Sequence, residues 1–323
     1  MVACSAVPQG RGRASGCSDI RAALMGSGLR RRYLGKDEEG ADMSILVFGA
    51  TGQVARELAR HEGVISVGRE QADLSDPGAC AALIRETAPE AVINAAAYTA
   101  VDKAETEEEL ATVINGAAPG AMAAACVQMG IPFVHISTDY VFAGTGEAPW
   151  QTDDPVAPPN AYGRSKRAGE EAVIAAGGTY AILRTSWVVS AHGNNFVKTM
   201  LRLGAARAQV SVVADQIGAP TPARDIAEAC LKMARQLVLE PKKSGIYHFQ
   251  GAPYVSWAGF AAEIFAISNL ACEVVEIPTT DYPTPAVRPL NSRLDCTTLE
   301  TVFGIPQPDW RRGLQDILKE LAE

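Results

Sequence analysis

The feature that most constrains this chain is a short apolar run, Ile45 to Phe48, closed by the turn Gly49-Ala-Thr-Gly-Gln-Val-Ala55 and followed by a helical segment with Leu58 on its apolar face. A continuous apolar run bounded by glycine reads as a strand buried on both faces, which is the condition of strands in parallel sheets. The pattern then repeats. Val64 to Val67 and Ala91 to Asn94 read as the second and third strands, with Pro77 to Glu86 as a helix between them. Glu105 to Met129 reads as helix interrupted at Pro119, Pro132 to Ile136 as a fourth strand, Ala161 to Ala176 as a helix and Tyr180 to Leu183 as a fifth strand. Strands alternating with helices predict an α/β fold, a Rossmann-type doubly wound parallel sheet with helices on both faces.

Beyond Trp187 the alternation weakens: a loop at Gly193, Asn194 and Asn195, a helix from Phe196 to Leu203, a strand near Val210 to Val213 and a helix from Asp225. After Gly251 come one more helix, a strand at Glu273 to Ile277 and a proline-rich stretch from Pro278 to Pro289. The sheet is therefore expected to use residues 43–187 with help from about 208–250. A smaller C-terminal substrate-binding lobe takes 188–207 and 251–323. Residues 1–42 differ from the rest: rich in Gly, Ala, Ser and Arg, with Arg30-Arg-Arg32 and no sustained hydrophobic period. They are set aside as a disordered extension or as sequence upstream of a start at Met43. Without an apolar core they do not read as a secretory signal, and Asp37, Glu38 and Glu39 count against a mitochondrial presequence.

The formal charge of −8 argues against a general nucleic-acid binder. No long uninterrupted apolar run is evident, so no membrane association is expected. The seven cysteines contain no Cys-x-x-Cys pair and read as core or surface thiols in a cytoplasmic protein.

At the first strand–helix junction, Gly49, Thr51, Gly52, Gln53 and Val54 form a turn whose backbone N–H groups can approach a pyrophosphate. By itself such a turn is also what a purely structural junction uses. After the second strand, where an acidic residue would bind an adenosine ribose, the chain has Gly68 and Arg69. A guanidinium there suits a 2′-phosphate, so NADPH is the expected cofactor, with NADH left open by Glu70 next door. Asp73 and Leu74 are placed near the adenine, and Ala95, Ala96 and Ala97 let the third strand's end lie flat against the cofactor.

The segment Tyr162-Gly-Arg-Ser-Lys166 puts a phenol and an ammonium four residues apart on one helix face. The ammonium is expected to lower the phenol's pKa from about 10 and make Tyr162 a general acid, while Lys166 holds ribose hydroxyls. The fourth strand ends in Ser137-Thr-Asp-Tyr140, at the sheet edge where doubly wound folds bind ligands. A Tyr-x-x-x-Lys pair alone is common on surface helices. The glycine turn, alanine strand end, hydroxyl and Tyr/Lys pair in this order point to a dehydrogenase.

These residues resemble the extended short-chain dehydrogenase/reductase family over Met43 to the C-terminus. Within it the chain is similar to the dTDP-4-dehydrorhamnose reductase family, through Asn94-Ala-Ala-Ala-Tyr-Thr-Ala-Val-Asp102-Lys-Ala-Glu105, Ser137-Thr-Asp-Tyr-Val-Phe142, Arg184-Thr-Ser-Trp187, Gly193-Asn-Asn-Phe196, Gly218-Ala-Pro-Thr221 and Arg288-Pro-Leu-Asn-Ser-Arg293. The resemblance implies NADPH-dependent reduction of the C4 keto group of a nucleotide sugar for cell-surface polysaccharide synthesis, with Thr138, Tyr162 and Lys166 catalytic. It implies substrate contacts from Val101, Thr138, Asp139, Tyr140, Trp187, Asn195, Arg288 and Arg293. Some members bind magnesium through interface glutamates; here Glu57 is kept, but Arg224 and Arg311 fill the other two positions. No metal is expected, and the chain is expected to be a monomer or weak homodimer, or to pair Glu57 with an arginine. Two rival readings remain: a non-catalytic NADP-binding regulatory subunit, and another nucleotide-sugar epimerase or dehydratase. The four histidines show no ligand spacing and receive no role.

Overall fold

The computed structural model describes residues 43–323; the readings made of residues 1–42, including Cys4 and Cys17, lie outside them. The chain runs β1 (Ile45–Phe48), α1 (Gln53–Leu58), β2 (Val64–Val67), α2 (Pro77–Thr87), β3 (Ala91–Asn94), the single turn α3 (Val101–Ala104), α4 (Glu108–Thr112), a π-helical turn Val113–Ala117, α5 (Ala118–Met129), β4 (Phe133–Thr138), α6 (Ala161–Ala176) and β5 (Tyr180–Thr185). It continues through β6 (Val188–Val189), α7 (Phe196–Ala206), β7 (Gln209–Val213), β8 (Ile217–Gly218), β9 (Thr221–Pro222), α8 (Ala223–Leu239), β10 (Gly245–His248), β11 (Val255–Ser256), α9 (Trp257–Ile267), β12 (Glu273–Ile277), α10 (Thr297–Phe303) and α11 (Trp310–Ala322).

Six strands form one parallel sheet in the order β2-β1-β3-β4-β5-β10. Successive side chains of β1 point to opposite faces, as strand geometry requires. Ile45 and Val47 pack with Leu58 of α1 and with Ile226, Cys230, Met233 and Leu237 of α8. Leu46 and Phe48 pack on the other face with Ile84 of α2 and Met122 of α5. This is the doubly wound, Rossmann-type arrangement that the alternation predicts. From β1 the chain passes to β2 on one side and then to β3 on the other, so the strand order reverses at β1 and β3. The crevice outside their carboxyl ends is the ligand position of such sheets.

Pro119 does not interrupt its helix. The helix runs unbroken from Glu108 to Met129, 22 residues, through the π-helical turn. That turn shifts the hydrogen-bond register just before the proline, where its missing N–H and its ring would otherwise break the ladder. By length and composition this helix could cross a membrane, but about half of its apolar window is buried against the protein. Helix α6 crosses it at close range: a Cβ on Gly169 would lie 2.1 Å from the Asn115 carbonyl oxygen, and one on Gly120 would lie 2.9 Å from the Ala172 Cβ.

A second core joins α7, α9 and α11 to the parallel pair β7–β12, through Val197, Val210, Phe260, Ile264, Trp310 and Leu314. The packing divides the chain differently from the sequence expectation. Residues 209–213 belong to this second core, whereas Leu299, Phe303 and Ile305 near the C-terminus join the first. The sixth strand β10 and the helices α10 and α11 are additions to the elements read from the sequence. The five described cysteines are buried and unpaired, as expected of core thiols.

Candidate active site

At the reversal point Gly49 has φ +114°, and a Cβ there would sit 3.3 Å from the Ala95 carbonyl. Only glycine lets the two strand ends come this close without strain. Thr51 and Gly52 are exposed at the mouth of the crevice, Ala95 and Ala96 are half-buried and Ala97 is exposed. Val54 and Leu74 turn into the core, so any contact they make with a ligand comes from their backbone. Gln53 ties the turn to the second core's entry loop: its Oε1 accepts from Ser190 Oγ and from Asn195 Nδ2, each at 2.9 Å. The Arg69 side chain is 83% exposed and stands 4.0 Å from the Asp73 carboxylate. Its guanidinium is free to turn toward an anion.

The side chains expected to be catalytic, Thr138, Tyr162 and Lys166, meet one strand further along, outside β4. Asn160 caps α6, accepting the Gly163 N–H at 2.8 Å, and so sets the first turn that carries Tyr162. Gly163 is required beside it, because a Cβ there would fall 2.2 Å from the Tyr140 carbonyl oxygen. The rings of Tyr140 and Tyr162 meet edge to face at 5.5 Å. Thr138 Oγ1 donates to Asp139 Oδ1 at 3.0 Å and accepts the Tyr140 N–H at 3.2 Å. Asp139 is buried and also accepts from Ser292 Oγ at 2.5 Å. Burial raises its carboxyl to about 6 against these hydrogen bonds.

The expectation that Lys166 acidifies Tyr162 does not hold. Burial, then the Asp139 charge, push the phenol up to about 12, against the pull of the Thr138 hydroxyl. Lys166 is buried and turns its Nζ to the Ile136 carbonyl at 2.7 Å, away from serving as a partner for the phenol. Spacing put the two residues on one face but could not show that desolvation dominates there.

His135, left without a role by the sequence, is fully buried next to this lysine, with Lys166 Nζ 3.3 Å from its Nε2 and Asn94 Nδ2 3.2 Å from its Nδ1. The signal that finds it is strand register, which pairs Asn94 with His135. Beneath them Glu170 makes a buried bidentate pair with Arg184 at 2.7 and 2.9 Å and accepts from Ser137 Oγ.

The other residues expected to contact substrate are spread between the two cores. Trp187 takes a left-handed backbone, φ +47°, and its indole stacks on Trp257 at 3.6 Å, a partner the sequence reading did not include. Arg288 bonds Asp102 at 2.7 Å, while its buried Nη1 has no partner among the described residues. Arg293 bonds Asn291 at 3.0 Å. Val101 opens α3, half-buried nearby. Asn195 spends its amide on structure, capping α7 through the Lys198 N–H and holding Gln53 and the Ser190 carbonyl. Glu57 is buried against His192 at 3.2 Å and Arg60 at 3.4 Å. Arg224 and Arg311 instead face Glu228 and Glu263.

A glycine turn at the strand-order reversal, with a hydroxyl, a phenol and a lysine gathered at the adjacent strand end, defines a short-chain dehydrogenase/reductase. The chain belongs to the family described as RmlD substrate binding domain, whose model matches residues 43–323. A dTDP-4-dehydrorhamnose reductase of Burkholderia thailandensis is 45% identical over 86% of this chain and 99% of its own length. That of Escherichia coli is 41% identical over 86% of this chain and 98% of its own. Among solved structures, a dTDP-4-dehydrorhamnose reductase from Clostridium acetobutylicum superposes with TM-score 0.81 at 37% identity, covering 87% of this chain and 100% of that one. One from Bacillus anthracis, solved in complex with NADP, gives 0.80 at 36% identity, covering 86% and 99%.

Proposed function

We propose that this chain reduces the C4 carbonyl of dTDP-4-dehydrorhamnose, with NADPH as the hydride donor bound in the crevice outside β1 and β3. The observation that carries the reading is the convergence of Thr138, Tyr162 and Lys166 at the end of β4, one strand from the reversal point. The crevice suits a dinucleotide: Gly49 lets the ends of β1 and β3 close up beneath it, Thr51 and Gly52 are exposed at its mouth, and the half-buried alanines 95 and 96 leave its floor flat. Bound there, NADPH would supply the hydride. Thr138 would turn its hydroxyl from Asp139 to the substrate oxygen and orient it. Tyr162 would then give its proton to the oxygen as negative charge develops. A phenol held near 12 still protonates an alkoxide, which is more basic, and stays reliably protonated until that moment.

Lys166 would donate to ribose hydroxyls, and Arg69 would reach the 2′-phosphate. Trp187 and Trp257 would wall the sugar, with Tyr140 opposite, and Arg288 and Arg293 would meet the diphosphate. We place the second core as the substrate-covering lobe of a cytoplasmic enzyme working as a monomer or weak homodimer. Mixing the protein with NADPH and dTDP-4-dehydrorhamnose tests the reading. Loss of NADPH absorbance is expected, and its absence with NADPH bound would move the assignment to a regulatory subunit or to another keto-sugar.

A further inference from the structure

Asn160, at the entry to α6, is buried and spends both ends of its amide. Its Oδ1 accepts the Gly163 N–H at 2.8 Å, and its Nδ2 donates to the Val287 carbonyl, also at 2.8 Å and 127 residues away in sequence. The two ends cannot be exchanged, because an N–H only donates and a carbonyl only accepts. One end is the cap that sets the first turn of α6 and with it Tyr162. Glu105 serves another free amide of that turn, accepting the Ala161 N–H at 2.8 Å. Capping therefore asks only for an acceptor at position 160, and the amide nitrogen is surplus to the helix.

The other end holds the segment Ala286–Arg288. Asp102 grips this segment on both sides of Val287, accepting the Ala286 N–H at 3.2 Å and Arg288 Nη2 at 2.7 Å. Between those two bonds the Val287 carbonyl is taken by Asn160, while the Val287 side chain is 61% exposed and anchors nothing in a core. Polar bonds, not apolar packing, thus decide where these three residues sit. Held in this way, Arg288 keeps its Nη1 buried and without a partner among the described residues. The guanidinium is near the Tyr140–Tyr162 pair: burial, then the Asp139 charge, push the Tyr140 phenol up, and the Arg288 charge pulls it back.

We infer that Asn160 is a positioning residue with two separable parts: its oxygen sets Tyr162 through the cap, and its nitrogen sets Arg288 through the Val287 carbonyl, presenting the free Nη1 to the diphosphate of the substrate. One amide thereby ties the segment that holds the anion to the helix that carries the proton donor. This role rests on the proposed reading of Arg288 and Tyr162 and extends it to a residue that touches neither substrate nor cofactor.

Asn160→Asp separates the two parts. It keeps an acceptor for Gly163, at a helix N-terminus that favours negative charge, but sets a second oxygen against the Val287 carbonyl. In the ligand-free protein, amide hydrogen exchange should stay slow at Gly163 and quicken at Ala286. The Kd for dTDP, read by titration calorimetry, should rise about tenfold, the worth of one hydrogen bond to the segment. KM for the keto-sugar should rise in parallel, with kcat falling far less, whereas Asn160→Ala should lower kcat as well and quicken exchange at both amides. In an Arg288→Ala background, Asn160→Asp should weaken dTDP little further. An Asn160→Asp protein with wild-type exchange at Ala286 and wild-type dTDP affinity overturns the role, and so does full additivity with Arg288→Ala. Failure of Asn160→Asp to fold overturns it too, because the cap is retained and the Val287 bond would then hold the fold instead of the site. A wild type without affinity for dTDP overturns it through Arg288. A wild type that binds dTDP and NADPH yet leaves the keto-sugar unreduced removes the reductase reading alone, and the exchange pattern and dTDP affinities still decide what Asn160 does.

Discussion

The two ends of the site sit one strand apart and are built by opposite means. Outside β1 and β3 the protein shapes its crevice largely by absence: Gly49 has no side chain, the alanines at 95–97 have short ones, and the exposed polar side chains are Thr51 at the turn and Arg69 beyond β2. Outside β4 and β5 it gathers side chains taken out of water, Thr138, Asp139, Lys166, His135 and the Glu170–Arg184 pair, all buried. The first end is sensitive to added atoms, the second to added or missing protons.

Substitutions that exploit this contrast should differ in kind as well as size. Tyr162→Phe should lower kcat by about a hundred- to ten-thousand-fold, the usual worth of a general acid, with NADPH affinity nearly unchanged in a direct titration. Glu170→Ala leaves the Arg184 guanidinium buried without its partner and should cost about 3–5 kcal/mol of stability in urea unfolding. Replacing both members of the pair by apolar residues should cost much less. If the single and double variants lose equally, the desolvated end is less dry than described.

Asp139 gives the pH signature of that end. Its folded value of about 6 exceeds the unfolded value of about 3.9, so the folded protein holds this proton more tightly. The resulting stability is fully present below about pH 4 and is lost as pH rises through 6, about 3 kcal/mol in all. Asp139→Asn should flatten that part of the stability curve. At the other end, Gly49→Ala should cost about 1–3 kcal/mol through its positive φ and the Ala95 carbonyl, and should weaken NADPH binding at least as much. The smallest effect is expected for Arg69→Ala, which should narrow the preference for NADPH over NADH by roughly tenfold without changing kcat.

The sequence was most legible where one strong local rule acts. β1, β2, β3 and α6 were read with the boundaries that the structure gives them, and the glycine turn shows as missing side chains. It was least legible where a neighbour decides. Pro119 looks like an interruption because the π turn that accommodates it depends on how the helix packs beneath α6. His135 looks idle because its partners, Asn94 and Lys166, are 41 and 31 residues away and meet only through strand register and a helix crossing. The Tyr162–Lys166 spacing gave proximity but not dielectric, and so the direction of the phenol's shift was misjudged. α11 is a different case: Trp310, Leu314, Ile317 and Leu321 recur at helical spacing, so its signal was present in the sequence and went unread.

The face-to-face indoles of Trp187 and Trp257 have an optical consequence. Two chromophores stacked at 3.6 Å and 15° share their excited states, so the protein should show a paired positive and negative band in its aromatic circular dichroism. Trp187 follows the central sheet and Trp257 opens a helix of the second core, which makes the couplet a label-free gauge of how the two cores meet. A sugar sliding against the pair, or a shift of one core on the other, would register as a change in sign or amplitude before any chemistry begins.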